Sequence, residues 1–397
     1  MNTTGEKLSN HEIGERLRLA RDDAKLTQAA AAGVINAART TIVAIEKGQR
    51  RVRIDELQKL ASAYGTSANA IMRREAVHLD LAPQFRKLRE SEDEAVLSAS
   101  RLLNDLLAAE LELEAALGIH RERRYPQERP ILPGDTRAVM SQAEMDAQDL
   151  RDWLGLGPGP IGDIISVLEL QLGIRVYLRP LHSRISGLFA YGDRAGAAML
   201  LNALHPRARL MMTASHEIGH FISARRQPEV LTTDTHRVSR EERYADSFAR
   251  GFLMPSRAVR HRFQDLTAGH SHLTRRHVIL LAHAFGVARE AMVRRLEEIG
   301  LARRGTWDWF QTNGGITDEQ AYHVLGHSES RHYDASVSGT RLPPRLALLV
   351  GEAWKRDIYS EGQLARLLHL DRHDIRAVID GAAAEESEED DLVKLPR

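Results

Sequence analysis

Apolar positions recur at helical spacing along most of this chain, and cap and turn signals cut them into many short segments. Ser9 and Glu12 form a capping box for a first helix carrying Ile13, Leu17 and Leu19-Ala20. Thr27 caps a second helix, Gln28 to Ile35, and Asn36 tolerates a left-handed turn before a third, Ala37 to Lys47, with Ile42 and Ile45 inward. Gly48 ends that helix, a fourth from Ile54 to Tyr64 stops at Gly65, and Ser67 starts a fifth. Leucines and alanines at helical spacing from Glu94 to Gly118 predict one long helix. It reads equally as a connecting or dimerising helix and as a helix packed on its own domain. Arg121 to Pro133, charged and proline-rich, is the best linker. Leu150 to Gly155 and Ile161 to Leu172 read as helices, while Val176 to Leu178, Gly187 to Tyr191 and Ala198 to Leu201 read as strands of a small sheet. Towards the end, Pro344 to Tyr359 reads as a helix with proline in its first turn. A capping box at Ser360 and Gln363 opens a hairpin of Leu364 to Leu368 and Ile375 to Ile379, read as a packing or partner-binding hairpin in preference to a second helix-turn-helix. No internal repeat is evident.

One helix carries chemistry. Between Ala208 and Gln227 there is no proline, and Leu210 to Met212 and Phe221-Ile222 flank His216-Glu217-Ile218-Gly219-His220. Residues i and i+4 share a helix face, so both imidazoles can offer a nitrogen to one Zn²⁺ at about 2.0–2.1 Å. Glu217 lies one residue round, where a general base must sit to take a proton from water activated by such an ion. The bland alternative is a pair of surface histidines on an amphipathic helix.

A catalytic zinc ordinarily has three protein ligands, which directs attention downstream. Glu242 and Asp246 lie one turn apart at the start of an apolar helical segment ended by Met254-Pro255. Glu242 is the candidate third ligand, and Asp246 the carboxylate that accepts the outer N–H of a ligating histidine. Glu241 is a rival ligand; Glu242 is preferred because only it has an aspartate one turn on.

With these residues in place, the chain resembles the ImmA/IrrE family of zinc metallopeptidases. The resemblance rests on His216 to His220, on Glu242 to Asp246 and on Phe248-Ala249 to Pro255. It extends upstream through Ile185 to Leu188 and Ala197 to Asn202, and downstream from Phe285-Gly286-Val287 to Leu296, covering about residues 145 to 303. It implies zinc bound through two histidines and a glutamate, and cleavage of a repressor encoded nearby. Met212-Thr213-Ala214-Ser215 departs from the family's usual Phe-Thr-Leu-Ala, placing a polar residue before the first histidine.

Composition narrows the setting. A chain of 397 residues with 43% hydrophobic content holds two or three domains with real cores. With no cysteine, metal sites must use nitrogen and oxygen, which fits a reducing cytoplasm. The polar start, Met1 to Asn10, and the lack of any long apolar run predict no secretion and no membrane span. Net charge is zero, so nucleic-acid binding requires a local basic region. One exists: from Glu12 to Arg74 Lys and Arg exceed Asp and Glu by five, whereas Glu385 to Asp391 is acidic and reads as a solvated tail.

In that basic region a short helix, a tight turn and a second helix with Arg39, Thr40 and Thr41 predict a helix-turn-helix, whose second helix enters the major groove of double-stranded DNA. Leu26-Thr27-Gln28, Arg39 to Ile42 and Ile45 to Gly48 resemble the XRE family of DNA-binding domains over residues 12 to 71. The resemblance implies that Gln28, Ala38, Arg39 and Thr40 face base edges while Lys47, Gln49, Arg50 and Arg51 reach phosphates. Ala29 to Gly33 lack the usual Leu and Glu, and Ala37, Ala38 and Ala44 stand where longer polar side chains are common. Such a face discriminates bases modestly unless a homodimer doubles it. A helical protein-interaction domain is the alternative.

Three other histidine groups compete. His323 and His327 repeat the i, i+4 spacing, but Val324 stands where a base would be; His270 and His272 read as solvated loop residues. His236, between the second histidine and Glu242, could donate to an oxyanion, against a plain loop reading. The sequence therefore predicts an α+β, mostly helical chain: a five-helix helix-turn-helix domain at 1–75, a helical connector and linker at 76–134, a zincin-like metallopeptidase domain with a small sheet at 135–303, and a C-terminal helical region with an acidic tail at 304–397. Its expected activity is that of a DNA-binding regulator with a zinc peptidase acting on a repressor, toxin or other protein partner. The alternative is a non-catalytic, antitoxin-like regulator that keeps the metallopeptidase fold as a scaffold.

Overall fold

The computed structural model describes residues 9–64, 68–72, 93–119, 121, 123, 125–193, 195–226, 229–232, 239–326 and 342–387. The chain forms two compact units, one through His78 and one from Leu79. It is α+β and mostly helical. Among the described residues no helix is long and apolar enough to cross a membrane. Gly65, Ser67, His236, His327 and the acidic run beyond Ser387 lie outside the described residues.

The N-terminal unit holds α1 (Asn10–Asp23), α2 (Gln28–Val34), α3 (Arg39–Glu46), α4 (Ile54–Ala63) and α5 (Ala68–Met72). The Ser9–Glu12 capping box closes α1 at its start. Ile13, Leu17, Ala31, Ala32, Ile42, Ile45, Leu57 and Leu60 form its core. The small residues of α2 let it lie close to its neighbours, and a Cβ at Gly14 would collide with the Ile45 carbonyl, so α1 crosses α3 backbone to backbone. The third helix begins at Arg39 instead of Ala37, because Asn36 takes a left-handed conformation (φ 52°) and Ala38 remains extended as the N-cap.

The second unit is built on a sheet of β1 (Arg175–Arg179), β2 (Ile185–Gly192), β3 (Gly196–Asn202) and β4 (Glu229–Thr232), in the order β1-β3-β2-β4. β1 runs parallel to β3, and β2 antiparallel to β3 and β4. β1, β2 and β3 are buried on both faces, which explains their near-continuous apolar sequences. Alternate residues separate two cores. Val176, Leu178, Phe189, Met199 and Leu201 meet Leu210, Met211, Ala214, Ile218 and Phe221 on one side. Tyr177, Leu188, Ala190, Ala198 and Leu200 meet Leu103, Leu106, Leu107 and the apolar residues of the C-terminal helices on the other.

That second layer decides the role of the long helix. α6 (Glu94–Leu117), capped by Asp93 and ended at Gly118 (φ 69°), is packed on its own unit together with the C-terminal helices. A buried polar network ties them to the sheet. Arg175 Nη2 donates to Glu114 Oε2 (2.6 Å), Tyr177 Oη donates to Glu110 Oε2 (2.8 Å), and Arg345 Nη2 donates to Glu114 Oε1 (3.0 Å). Arg121 reaches both Glu110 (3.3 Å) and the Glu169 carbonyl (2.9 Å).

Three local expectations change. The segment expected to be a linker runs along α8 (Arg207–Ala224): Arg129 N donates to Ile222 O (2.7 Å) and Arg225 to Pro126 O (2.6 Å). The predicted helix from Ile161 is short, because Gly157, Gly159, Pro160 and Gly162 delay its start; Ile164–Ser166 is α-helical and Val167–Gln171 a π turn. β4, short and carrying polar Glu229 and Thr232, was not foreseen.

α7 (Thr136–Trp153) precedes the sheet, and after it come α9 (Arg240–Leu253), α10 (Ser256–Thr267), α11 (Arg275–Phe285), α12 (Arg289–Glu298), α13 (Thr306–Thr312) and α14 (Asp318–Leu325). The C-terminal helices are α15 (Pro344–Lys355), α16 (Glu361–Leu367) and α17 (Arg372–Ser387). α15 stops short of Tyr359 because Asp357 adopts φ 55°.

Candidate metal centre and nucleic-acid interface

α8 buries Leu210, Met211, Ala214, Ile218 and Phe221 in the core, and its periodicity places His216 and His220 together on a neighbouring stripe. Their rings pack edge to face with centroids 4.8 Å apart, and their Nε2 atoms are 3.0 Å apart. The third group comes from α9. Ser239 caps that helix by accepting from Glu242 N (3.1 Å), which places Glu242 in the first turn. Its carboxylate lies 3.4 Å from His216 Nε2 and 3.5 Å from His220 Nε2. The fold thus brings Glu242 to the histidines and leaves Glu241 exposed.

Asp246, one turn on, has Oδ1 2.9 Å from His216 Nδ1. With Nδ1–H donating to that carboxylate, it is Nε2, facing His220 and Glu242, that would offer a lone pair once its proton is displaced. Both histidines are 3% exposed and Glu217 is fully buried.

Two close approaches set the spacing of the helices. A Cβ at Gly219 would stand 2.9 Å from Ala245 Cα, so α8 and α9 touch at the glycine between the two histidines. Tyr244 on α9 donates to Asp146 of α7 (2.7 Å), which also takes Arg129 (2.9 Å). Sequence reasoning passed over Gly219 and Ser239; a glycine between two candidate ligands and a serine three residues before the third were the available signals. Gly219→Ala is expected to weaken zinc binding by about 10–100-fold, because helix separation and ligand spacing change together. Competition with a chelating indicator measures it, and an affinity equal to wild type removes Gly219 from this role.

Electrostatics favour a cation at this point. Burial pushes the His216 imidazolium down, yet hydrogen bonds to Asp246 and Glu242 and the charge of Glu217 outweigh it and hold its pKa at about 10. Hydrogen bonds from His216 and His220 hold Glu242 well below the ordinary carboxylate range. The donor set fits zinc: two imidazole nitrogens and a carboxylate oxygen, their nearest atoms 3.0, 3.4 and 3.5 Å apart. A tetrahedral ion with bonds of about 2.0–2.1 Å holds its ligand atoms about 3.3 Å apart. Among the described residues no other cluster of three such side chains is present. His270, exposed, stacks edge to face on His277, with centroids 4.9 Å apart.

In the N-terminal unit α2, the turn at Asn36 and α3 present Ala38, Arg39 and Thr40 to solvent, with Lys47, Gln49 and Arg51 exposed beyond them. A relay holds the residues expected to face base edges. Buried Arg21 pairs with Glu46 (2.6 Å), Gln28 Nε2 donates to Glu46 Oε2 (2.9 Å), and Arg39 Nη2 donates to Gln28 Oε1 (3.3 Å). Arg50 differs from the others expected to meet phosphate: it is partly buried and bonded to Glu56 (2.8 Å), whose carboxylate also accepts from Arg53 N at the start of α4.

Comparison with known proteins gives two family matches. Residues 12–72 match the helix-turn-helix domain family, and residues 170–297 match the IrrE N-terminal-like domain, a peptidase family. No curated protein matches the chain. Among solved structures, PlcR of Bacillus thuringiensis, determined with the peptide PapR7 and DNA, is 10% identical over 97% of this chain and 100% of its own, with a TM-score of 0.17. The competence regulator ComR of Streptococcus vestibularis is 9% identical over 96% of this chain and 99% of its own, with a TM-score of 0.16. ComR of Streptococcus suis is 10% identical over 97% of this chain and 92% of its own, again with a TM-score of 0.16. Likeness at that level carries no argument about fold or function. What the family matches establish is that this chain joins a helix-turn-helix domain, which supports DNA binding, to an IrrE N-terminal-like domain.

Proposed function

We propose that the chain is a cytoplasmic DNA-binding regulator whose IrrE-like domain is a zinc-dependent peptidase acting on a protein, a repressor or toxin encoded beside it. The observation that carries this reading is the convergence of His216, His220 and Glu242 on one point, with Glu217 buried alongside. A zinc ion held there supplies Lewis acidity that polarises a peptide carbonyl and acidifies water. Asp246 fixes the tautomer and direction of His216. Glu217 accepts the proton that water gives up and passes it to the leaving amine. Arg39 and Thr40 on α3, with Gln28 at the start of α2, face base edges, while Lys47, Gln49 and Arg51 meet phosphates.

A second reading has its own support. The histidines are almost wholly buried, which suits a metal that braces the fold of a non-catalytic regulator. Incubating the zinc-loaded chain and its Glu217→Gln variant with the neighbouring regulator separates the two: cleavage by wild type alone supports the peptidase with Glu217 as base, and no cleavage by either supports the scaffold.

A further inference from the structure

Among the described residues, four that are not glycine have a left-handed backbone: Lys25 (φ 54°), Asn36 (52°), Asp357 (55°) and His369 (51°). They fall into two matching pairs. Lys25 follows α1 and Asn36 joins α2 to α3; Asp357 follows α15 and His369 joins α16 to α17. α2 and α16 each have seven residues. Each begins after a hydroxyl N-cap, Thr27 or Ser360, and each is followed by a four-residue turn with the left-handed residue second.

The hydrogen bonds repeat as well. Asn36 N donates to Gly33 O (3.2 Å) and Ala37 N to Ala32 O (2.9 Å); His369 N donates to Arg366 O (3.4 Å) and Leu370 N to Ala365 O (2.9 Å). Where α1 ends, Lys25 N donates to Asp22 O and Leu26 N to Arg21 O; where α15 ends, Asp357 N donates to Trp354 O and Ile358 N to Ala353 O. Buried positions coincide: Ala31, Ala32 and Ile42 in one unit correspond to Leu364, Ala365 and Ile375 in the other. The C-terminal segment is one residue longer between its first and second helices.

We infer that α15, α16 and α17 form a second helix-turn-helix and that α17 binds double-stranded DNA through its exposed N-terminal face. The equivalent of Arg39 is Arg372, and His373 and Arg376 follow it at the surface, all three exposed while Ile375 and Ile379 face inward. Arg376, 65% exposed, bonds to Glu361 (2.9 Å), the first residue of α16, much as Arg39 bonds to Gln28, the first residue of α2. The Arg372 guanidinium lies against Gly362, so both arginines gather at the start of α16. Arg366, also exposed, adds charge at its other end; the carboxylates near this face are exposed Asp371, which precedes Arg372, buried Asp374, Glu361, which Arg376 holds, and exposed Asp380. Arginine can take phosphate or, bidentately, guanine, so the occupant this surface suits is the major groove and its flanking phosphates.

The test uses the full chain and a labelled mixed-sequence duplex of about 30 base pairs, read by fluorescence anisotropy over a salt series. In an Arg39→Ala/Thr40→Ala background, salt-dependent binding is expected to remain. Adding Arg372→Ala/Arg376→Ala should weaken it about tenfold or more at low salt and reduce the salt slope by about two. Glu361→Gln, which frees Arg376, should tighten it. Arg39, Thr40, Arg372 and Arg376 are all exposed, so thermal melts of their alanine variants should stay at the wild-type midpoint. Equal binding with and without the two C-terminal arginines, or no binding in the Arg39→Ala/Thr40→Ala background, overturns the inference.

Discussion

Glu217→Gln is expected to keep its zinc and lose about 10²–10⁴-fold in the rate at which it cleaves its protein substrate. The substitution is nearly isosteric at a position with no solvent exposure, so it changes the proton chemistry and leaves the packing alone. Glutamine can accept a hydrogen bond but cannot take up a proton. The proposed ligands His216, His220 and Glu242 and the carboxylate of Asp246 beside them are untouched. Single-turnover cleavage with zinc content measured on the same samples reads both quantities. A fall of less than about tenfold at full zinc loading would remove Glu217 as the base, and no cleavage by the zinc-loaded wild type would leave the scaffold reading standing.

The second large effect is on stability. Arg175→Met should destabilise the second unit by about 3–5 kcal/mol, the usual cost of removing one partner from a buried ion pair. Arg175 is 1% exposed and holds Glu114 at 2.6 Å and Glu110 at 3.3 Å. Without it two buried carboxylates lose their principal cation, and the Tyr177–Glu110 bond remains as the polar tie between α6 and β1. Replacing Glu110 and Glu114 by glutamine in the same variant should recover much of the loss, since the uncompensated charge is what costs. Urea unfolding of the three proteins provides the comparison; a midpoint for Arg175→Met equal to wild type would show the network to be dispensable.

The site was legible where the geometry is local. Helical spacing alone aligns His216 with His220, and the same turn relates Glu242 to Asp246, so both halves of the centre could be read before the structure joined them. Long-range pairings stayed hidden. Nothing around Arg50 in the sequence says that it will bond Glu56 instead of remaining free for phosphate. Nothing around Arg129 says that a proline-rich stretch will lie along α8, nor that Glu229 to Thr232 will add an edge strand.

Backbone conformation was the other blind spot. Asn36 announces a left-handed turn because asparagine tolerates one, whereas His369 and Asp357 do so at some cost and carry weaker signals. The C-terminal hairpin packs on its own core as read, and nothing in the sequence signals that its turns match those of α1 to α3. Gly219 was also silent, since a glycine's purpose depends on which helix crosses it.

The most direct test of the metal centre is the zinc content of the purified chain after exhaustive dialysis, set beside that of Glu242→Ala. One zinc per wild-type chain and almost none in the variant is the expected result, because removing the carboxylate leaves two histidines that cannot hold the ion alone. A zinc-free wild type, or equal zinc in the two proteins, would contradict the assignment of His216, His220 and Glu242.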